Sequence, residues 1–243
     1  MQATGEATER LSLSLDRARV YRALAQLFRM PDANSVQEAR ERSLPELCGA
    51  LERLTESADL VGEAKALRDF FSVAEVERLR AGHHTAFDES SSVRSAPTEM
   101  DQLGGAPQLE MTRTFEMADV AGFYNAFGVE VESSGERPDH IAAELEFMNL
   151  LAVKECVALQ EEGEGEHADV CRNASRAFLR DHLARWAPRL GECLVAAGGD
   201  TVYRTAGRLL GGFVTFDAER LDAENAPPHR LSRDPRDGPT QPA

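Results

Sequence analysis

Asp139 and His140 stand side by side, with Glu136 three residues before the aspartate and Glu144 four residues after the histidine. A histidine beside a carboxylate is raw material for general acid–base chemistry. Covalent catalysis would also need a partnered nucleophile, and the chain contains no Gly-x-Ser-x-Gly elbow. The glycines of Leu103-Gly104-Gly105-Ala106 match neither a Walker loop nor a dinucleotide fingerprint. A di-metal site in a helical protein wants two Glu-x-x-His elements and two further glutamates on facing helices. Only Glu164-x-x-His167 has that spacing, and it lies in a glycine-rich acidic stretch. The adjacent His83 and His84 leave a helix in different directions, so they do not form a shared ligand pair. Cys48, Cys156, Cys171 and Cys193 include no Cys-x-x-Cys pair, which argues against a zinc knuckle or a redox dithiol. No catalytic residue, metal or cofactor is read from these residues. A helical metal-dependent enzyme is the alternative.

The surroundings of the Asp-His pair are locally readable. Pro138 cannot continue a preceding helix but fits the start of one. Asp139 can cap the first turn of that helix or complement its positive end, and His140 then falls in the first turn. Ile141, Leu145, Met148 and Ala152 face one way, and Phe147, Leu150 and Leu151 widen the stripe. So wide a stripe predicts a central, well-buried helix. Glu144 and Glu146 are expected on its other faces.

The rest of the chain repeats the helical period. Val20, Tyr21, Leu24, Leu27 and Phe28 form one stripe, with Pro31 as a stop. Further helices are predicted over 35–54, interrupted near Pro45, and over 58–71. Val76, Leu79, His83 and Phe87 mark another, and two later stripes run through Leu179, Leu183, Trp186 and Leu190, and through Val202, Ala206, Leu209 and Phe213. Strand-like alternation is almost absent. The fold class is all-α, a single-domain helical bundle of about eight or more helices. Its long mid-chain loop, 88–110, exceeds the usual connection length and is either functional or flexible. Shorter breaks fall at 130–138 and around Gly163 and Gly165. Residues 1–10 are expected to be a flexible N-terminus and 11–222 the helical domain. Residues 223–243 hold five of the eleven prolines and few apolar residues, too little to offset the entropy of ordering, so they are expected to be a disordered tail.

Charge narrows the partners. The chain of 243 residues has a formal net charge of −15. A phosphate backbone needs a basic footprint, so nucleic acid is an unfavoured partner, while a basic protein segment would be steered toward this field. From residue 217 onward there are six acids against four arginines, so nearly all of the excess belongs to the helical domain. No apolar run approaches ~18 residues, which excludes membrane insertion by a helix. The N-terminus has no apolar h-region and the chain has no adjacent arginine pair, so neither a secretory signal nor a twin-arginine address of its own is read. The expected location is the cytoplasm.

Tyr124-x-x-Phe127-Gly128, followed by Glu136-Arg-Pro-Asp-His-Ile-Ala-x-Glu144-Leu-Glu-Phe-Met148, resembles the signature of the TorD-like chaperones, which include the NarJ and DmsD types of redox-enzyme maturation protein. Downstream, His182-Leu-x-x-Trp186-x-Pro188 and Tyr203-Arg-x-x-Gly-x-Leu-Leu are similar to that family's later helices, and the Arg19 to Phe28 stripe to its first. The chain departs from the family at Ala96-Pro97-Thr98-Glu99, where an aromatic is often found between the proline and the glutamate. The resemblance implies a cytoplasmic, non-catalytic assembly factor, acting as monomer or dimer. Its partner would be the immature catalytic subunit of a molybdenum-containing oxidoreductase, held through a basic twin-arginine leader or another N-terminal segment during cofactor insertion. Glu136, Pro138, Asp139, His140, Glu144 and Tyr124 would lie in the partner-binding region, with Glu99 of the long loop as a further carboxylate. Carboxylates beside an apolar groove suit such a segment, because arginine pairs with them in a bidentate fork. A permanent structural subunit of an oxidoreductase complex is the remaining alternative.

Overall fold

The computed structural model describes residues 2–87, 96–103, 110–130, 137–161, 165–197 and 201–224. Every element among the described residues is helical, apart from a lone antiparallel bridge between Thr98 and His140. In chain order they are α1 (Gln2–Leu27), α2 (Ala33–Glu38), α3 (Leu44–Leu54), α4 (Ala58–Val73), α5 (Val76–Ala86), α6 (Glu99–Gln102), α7 (Glu110–Ala126), α8 (Ile141–Gln160), α9 (Gly165–Phe178), α10 (Ala184–Ala196) and α11 (Thr201–Glu224). One hydrophobic cluster runs through them from Val20 to Leu221.

Local sequence explains the boundaries. Asp32 and Ser35 cap α2 reciprocally, the Ser35 amide donating to Asp32 Oδ1 at 2.8 Å and the Asp32 amide to Ser35 Oγ at 2.9 Å. The break expected near Pro45 is a π-helical turn (Ala39–Ser43) that joins α2 to α3 without a loop. Proline has no amide to donate and its ring crowds the carbonyl four residues earlier, so the widened turn before it keeps the rod continuous. A second π-helical turn (Leu179–Leu183) joins α9 to α10, which carries Pro188 inside it.

Residues 2–10, expected to be flexible, are instead the first turns of α1. The side chain of Arg10 ties them down by donating to Glu155 at 2.8 Å and to Asp169 at 2.6 Å, on α8 and α9. At the other end α11 continues to Glu224, and the rest of the expected tail, 225–243, lies outside the described residues. The long loop of 88–110 contains an ordered piece, 96–103, that includes α6. The remaining parts of that loop, like 131–136 and 162–164, lie outside the described residues.

Helices α1 and α8 pack along each other, as do α10 and α11. The second contact is close enough to demand glycine. A Cβ on Gly191 would stand 2.4 Å from the carbonyl oxygen of Gly207, and one on Gly207 would stand 2.8 Å from that of Gly191. As the stripe predicts, α8 is central: Ile141, Leu145, Met148 and Leu151 have no exposed surface. Two carboxyls, Glu144 and Glu155, are equally buried on it.

Glu155 belongs to a polar knot that fastens the two ends of the chain. Arg17 of α1 donates through Nε and Nη2 to the two oxygens of Asp217 on α11, at 2.7 and 3.0 Å. Its third nitrogen reaches Glu155 at 3.5 Å, and the hydroxyl of Tyr21 donates to Asp217 at 2.6 Å. Arg172 of α9 adds a bond to Glu155 at 3.0 Å. Replacing Arg17 by alanine leaves Asp217 without its fork and Glu155 with less charge compensation in the interior. A loss of about 3–5 kcal/mol in unfolding free energy is expected from denaturant titration.

Candidate functional site

The predicted motif begins at the end of α7. The amide of Gly128 donates to the Asn125 carbonyl at 3.1 Å and that of Val129 to the Tyr124 carbonyl at 2.9 Å. Gly128 has φ +77°, a left-handed conformation that closes this double-bonded helix end and favours glycine. The turn leaves Tyr124 facing inward, where its hydroxyl donates to the Pro138 carbonyl at 2.7 Å. Burial, and then the charges of Glu144, Asp139 and Glu99, raise the pKa of that hydroxyl and keep it protonated.

Pro138, Asp139 and His140 form a clasp with the 96–103 segment. The Glu99 amide donates to the Asp139 carbonyl at 2.9 Å, and the Ile141 amide to the Pro97 carbonyl at 2.8 Å. Asp139 is fully buried. Its carboxylate accepts a bidentate fork from Arg137 at 2.9 and 2.8 Å and the Met100 amide at 3.2 Å. Asp139 is therefore not the cap of α8; it anchors the start of α6. The α8 cap is His140, whose Nδ1 accepts from the Ala142 amide at 3.2 Å. The difference is one of register: α8 starts at Ile141, so Asp139 lies one residue too early to reach its first amides.

Glu144, expected on an outer face of α8, is fully buried and accepts from Trp186 Nε1 at 3.0 Å. Burial, and then the neighbouring charge of Glu99, push its carboxyl well above the usual range, while the Trp186 bond works in the opposite direction. Glu99 is buried too, with His182 Nδ1 at 3.2 Å and the Arg185 guanidinium at 3.8 Å. Asp139, Glu144 and Glu99 are thus closed to solvent and engaged with the chain's own side chains, which does not fit their expected role as carboxylates that receive a partner's arginine. Glu136 lies outside the described residues.

An open groove of about 960 Å³ runs alongside the clasp. Tyr124, Pro138, Phe147 and Leu150 line it from the α7–α8 side, and Gln26 and Met30 from α1. Asp32, Glu38, Glu130 and Glu146 are exposed at its rim. Arg22 and Arg29 also line it, Arg22 paired with Glu46 and Arg29 with Glu146, the latter at 2.7 Å. Two of the sequence-predicted residues, Tyr124 and Pro138, therefore line the groove, whereas Asp139, His140, Glu144 and Glu99 do not. Among the described residues no group of three His, Cys, Asp or Glu side chains is placed to hold a metal ion.

A model of the family described as "Nitrate reductase delta subunit" matches residues 54–192, which takes in the clasp, α8 and the Trp186 turn. The chain belongs to that family. It is 31% identical over 208 residues to the selenate reductase assembly chaperone protein of Thauera selenatis, covering 85% of this chain and 90% of the relative. It is 30% identical over 202 residues to the chlorate reductase assembly chaperone protein of Ideonella dechloratans, covering 83% and 87%. For the perchlorate reductase assembly chaperone protein of Dechloromonas aromatica (strain RCB) the figures are 32% over 183 residues, 74% and 78%. As a member of the delta subunit family with these relatives, the chain is an assembly chaperone and not a catalyst. No helix among the described residues is long and apolar enough to cross a membrane.

The clasp also draws on residues that sequence reasoning did not place with it. Arg137, His182, Arg185 and Trp186 bond or ion-pair with the predicted carboxylates, and Asp101 pairs with Arg137. His182 and Trp186 were visible as matching positions, but nothing local tied them to Glu99 and Glu144, which lie 83 and 42 residues away. The groove residues of α1 and α2 gave no signal beyond helix periodicity. An Asp139→Asn variant sets an amide group against the Arg137 fork and weakens the hold on Met100. It should unfold about 1–3 kcal/mol more easily in a denaturant titration, with an unchanged far-ultraviolet helical spectrum.

Proposed function

We propose that this chain is a dedicated cytoplasmic chaperone for the immature catalytic subunit of a molybdopterin-containing oxidoreductase. It binds a basic leader or other N-terminal segment of that subunit in the groove between α1–α2 and α7–α8, and keeps the client available for cofactor insertion and assembly before export. The observation that carries the reading is the composition of the groove. Pro138, Leu150 and Met30 offer apolar surface to an apolar run, with the nearly buried Tyr124 and Phe147 completing the lining. Exposed Asp32, Glu38 and Glu130 offer acceptors to arginines. A segment with two arginines followed by apolar residues matches both parts, through charge-assisted bonds at the rim and burial on the floor. The net charge of −15 steers such a segment toward the protein from a distance. The reductase-assembly names of the three relatives support an oxidoreductase as the client.

The motif then has an indirect part. Its Asp139, His140 and Glu144 do not meet the client; they fix Pro138 and the first turn of α8, and so the shape of one groove wall. Fluorescence anisotropy with a synthetic peptide carrying two adjacent arginines and an apolar run tests this assignment. Simultaneous Glu38→Arg and Glu130→Arg reversal should weaken binding roughly tenfold or more at low salt, with a smaller difference at high salt. Equal binding by the reversed and native proteins would place the client elsewhere.

A further inference from the structure

Glu99 and Glu144 are brought into one interior region from different elements. Both have no exposed surface, and each has one oxygen, Oε1, with no hydrogen-bond partner. Their other oxygens meet α10 and the π-helical turn before it, four residues apart in sequence: Glu99 Oε2 at His182 and Glu144 Oε2 at Trp186. Trp186 supplies a hydrogen bond but no charge.

The basic side chains nearby already face other carboxyls. His182 and Arg185 approach Glu99 at 3.2 and 3.8 Å. Two carboxylates of α7 draw on the same groups, Asp119 at 3.3 Å from His182 Nε2 and Glu116 at 3.8 Å from Arg185. Arg137 is forked onto Asp139 and reaches Asp101 at 3.2 Å. The remaining titratable neighbour from α7 is Tyr124, which donates to a backbone carbonyl. Among the described residues, Glu144 therefore has no cation of its own. An uncompensated buried carboxylate is far costlier than a neutral carboxyl, and costlier still beside a second carboxylate.

We propose that Glu144 is a proton latch for the 96–103 strap: with its proton on, the strap stays clasped to α8 and α10, and with its proton off, charge repulsion drives Glu99 and the strap away. Glu99 is the strap's only carboxylate that is fully buried among the described residues, flanked by the backbone bonds of Pro97 and Glu99 and the Met100 amide held by Asp139. Loss of its seat breaks the clasp at its centre. A carboxyl whose folded-state pKa lies above its ordinary value of 4.5 favours the docked form fully below that value, and this contribution is lost as pH rises through the raised one. The latch thus opens with rising pH. The inference concerns the chain alone and holds or fails independently of what occupies the groove.

The single tryptophan of the sequence, Trp186, is bonded to the latch and reports on it directly. Its emission in the full chain, followed from about pH 5 to about pH 10 alongside amide hydrogen exchange, should show a transition above the carboxylate range. Between the ordinary carboxyl value and that transition, protection of the Glu99, Met100 and Ile141 amides should fall by up to about tenfold per pH unit, the slope of one linked proton, and level off beyond it. Glu144→Gln keeps an acceptor for the indole and has no proton to lose, so emission and protection should become flat across the transition. Glu99→Gln removes the repelling charge and should move the transition to lower pH, which also tests the idea if the first variant does not fold. A native protein without the transition, a transition that survives in Glu144→Gln, or one left in place by Glu99→Gln would overturn the latch.

Discussion

Helix α8 turns a buried face to the core along its length and carries Glu144 and Glu155 into the interior. A buried carboxyl must be paired or must keep its proton, and the two positions meet that constraint differently. At Glu155 the neighbours are arginines from α1 and α9, and the same Arg17 forks onto Asp217 of α11. At Glu144 the neighbours are Trp186 and another carboxyl. The first arrangement joins the N-terminal and C-terminal helices through charge pairs. The second leaves a carboxyl pushed above its usual range by burial and by Glu99, next to the one antiparallel bridge among the described residues.

The clasp and the groove are two sides of one wall. Behind it, Asp139 organises Arg137 and the amide of Met100, and the His140 ring caps α8. In front of it, Pro138 and Tyr124 face the groove. The Tyr124 hydroxyl on the Pro138 carbonyl links the two sides. A chaperone needs a surface that accepts a flexible segment, and such surfaces hold their shape only where supporting polar groups are satisfied from behind. The motif's charged residues are better understood as that support than as the contact surface.

The helices were legible because their apolar stripes are long and periodic: the Val20 to Phe28 stripe and the Ile141 to Ala152 stripe both emerge as core. Pro138 as a helix-start signal was legible to within three residues. The burial of Glu144 was not, because a glutamate three residues from Ile141 and adjacent to Leu145 reads as the polar flank of a stripe. Only Trp186, on another helix, makes the interior tolerable for it. Asp139 looked like a helix cap because that is what an aspartate after proline does locally. Its true partner, the Met100 amide, lies 39 residues upstream. The groove escaped notice for the same reason: its walls come from segments more than eighty residues apart, and none of its residues is unusual in its own helix.

The central claim is that the motif builds the groove wall while the groove itself takes the client segment. The most direct measurement is an amide hydrogen-exchange map of the full chain with and without the double-arginine peptide. Protection is predicted on the groove-facing stretches of α1, α2 and α8, at 22–30, 35–38 and 143–150, with little change at 182–186. Protection confined to 96–103, 137–140 and 182–186, with the α1–α2 side unaffected, would contradict the account.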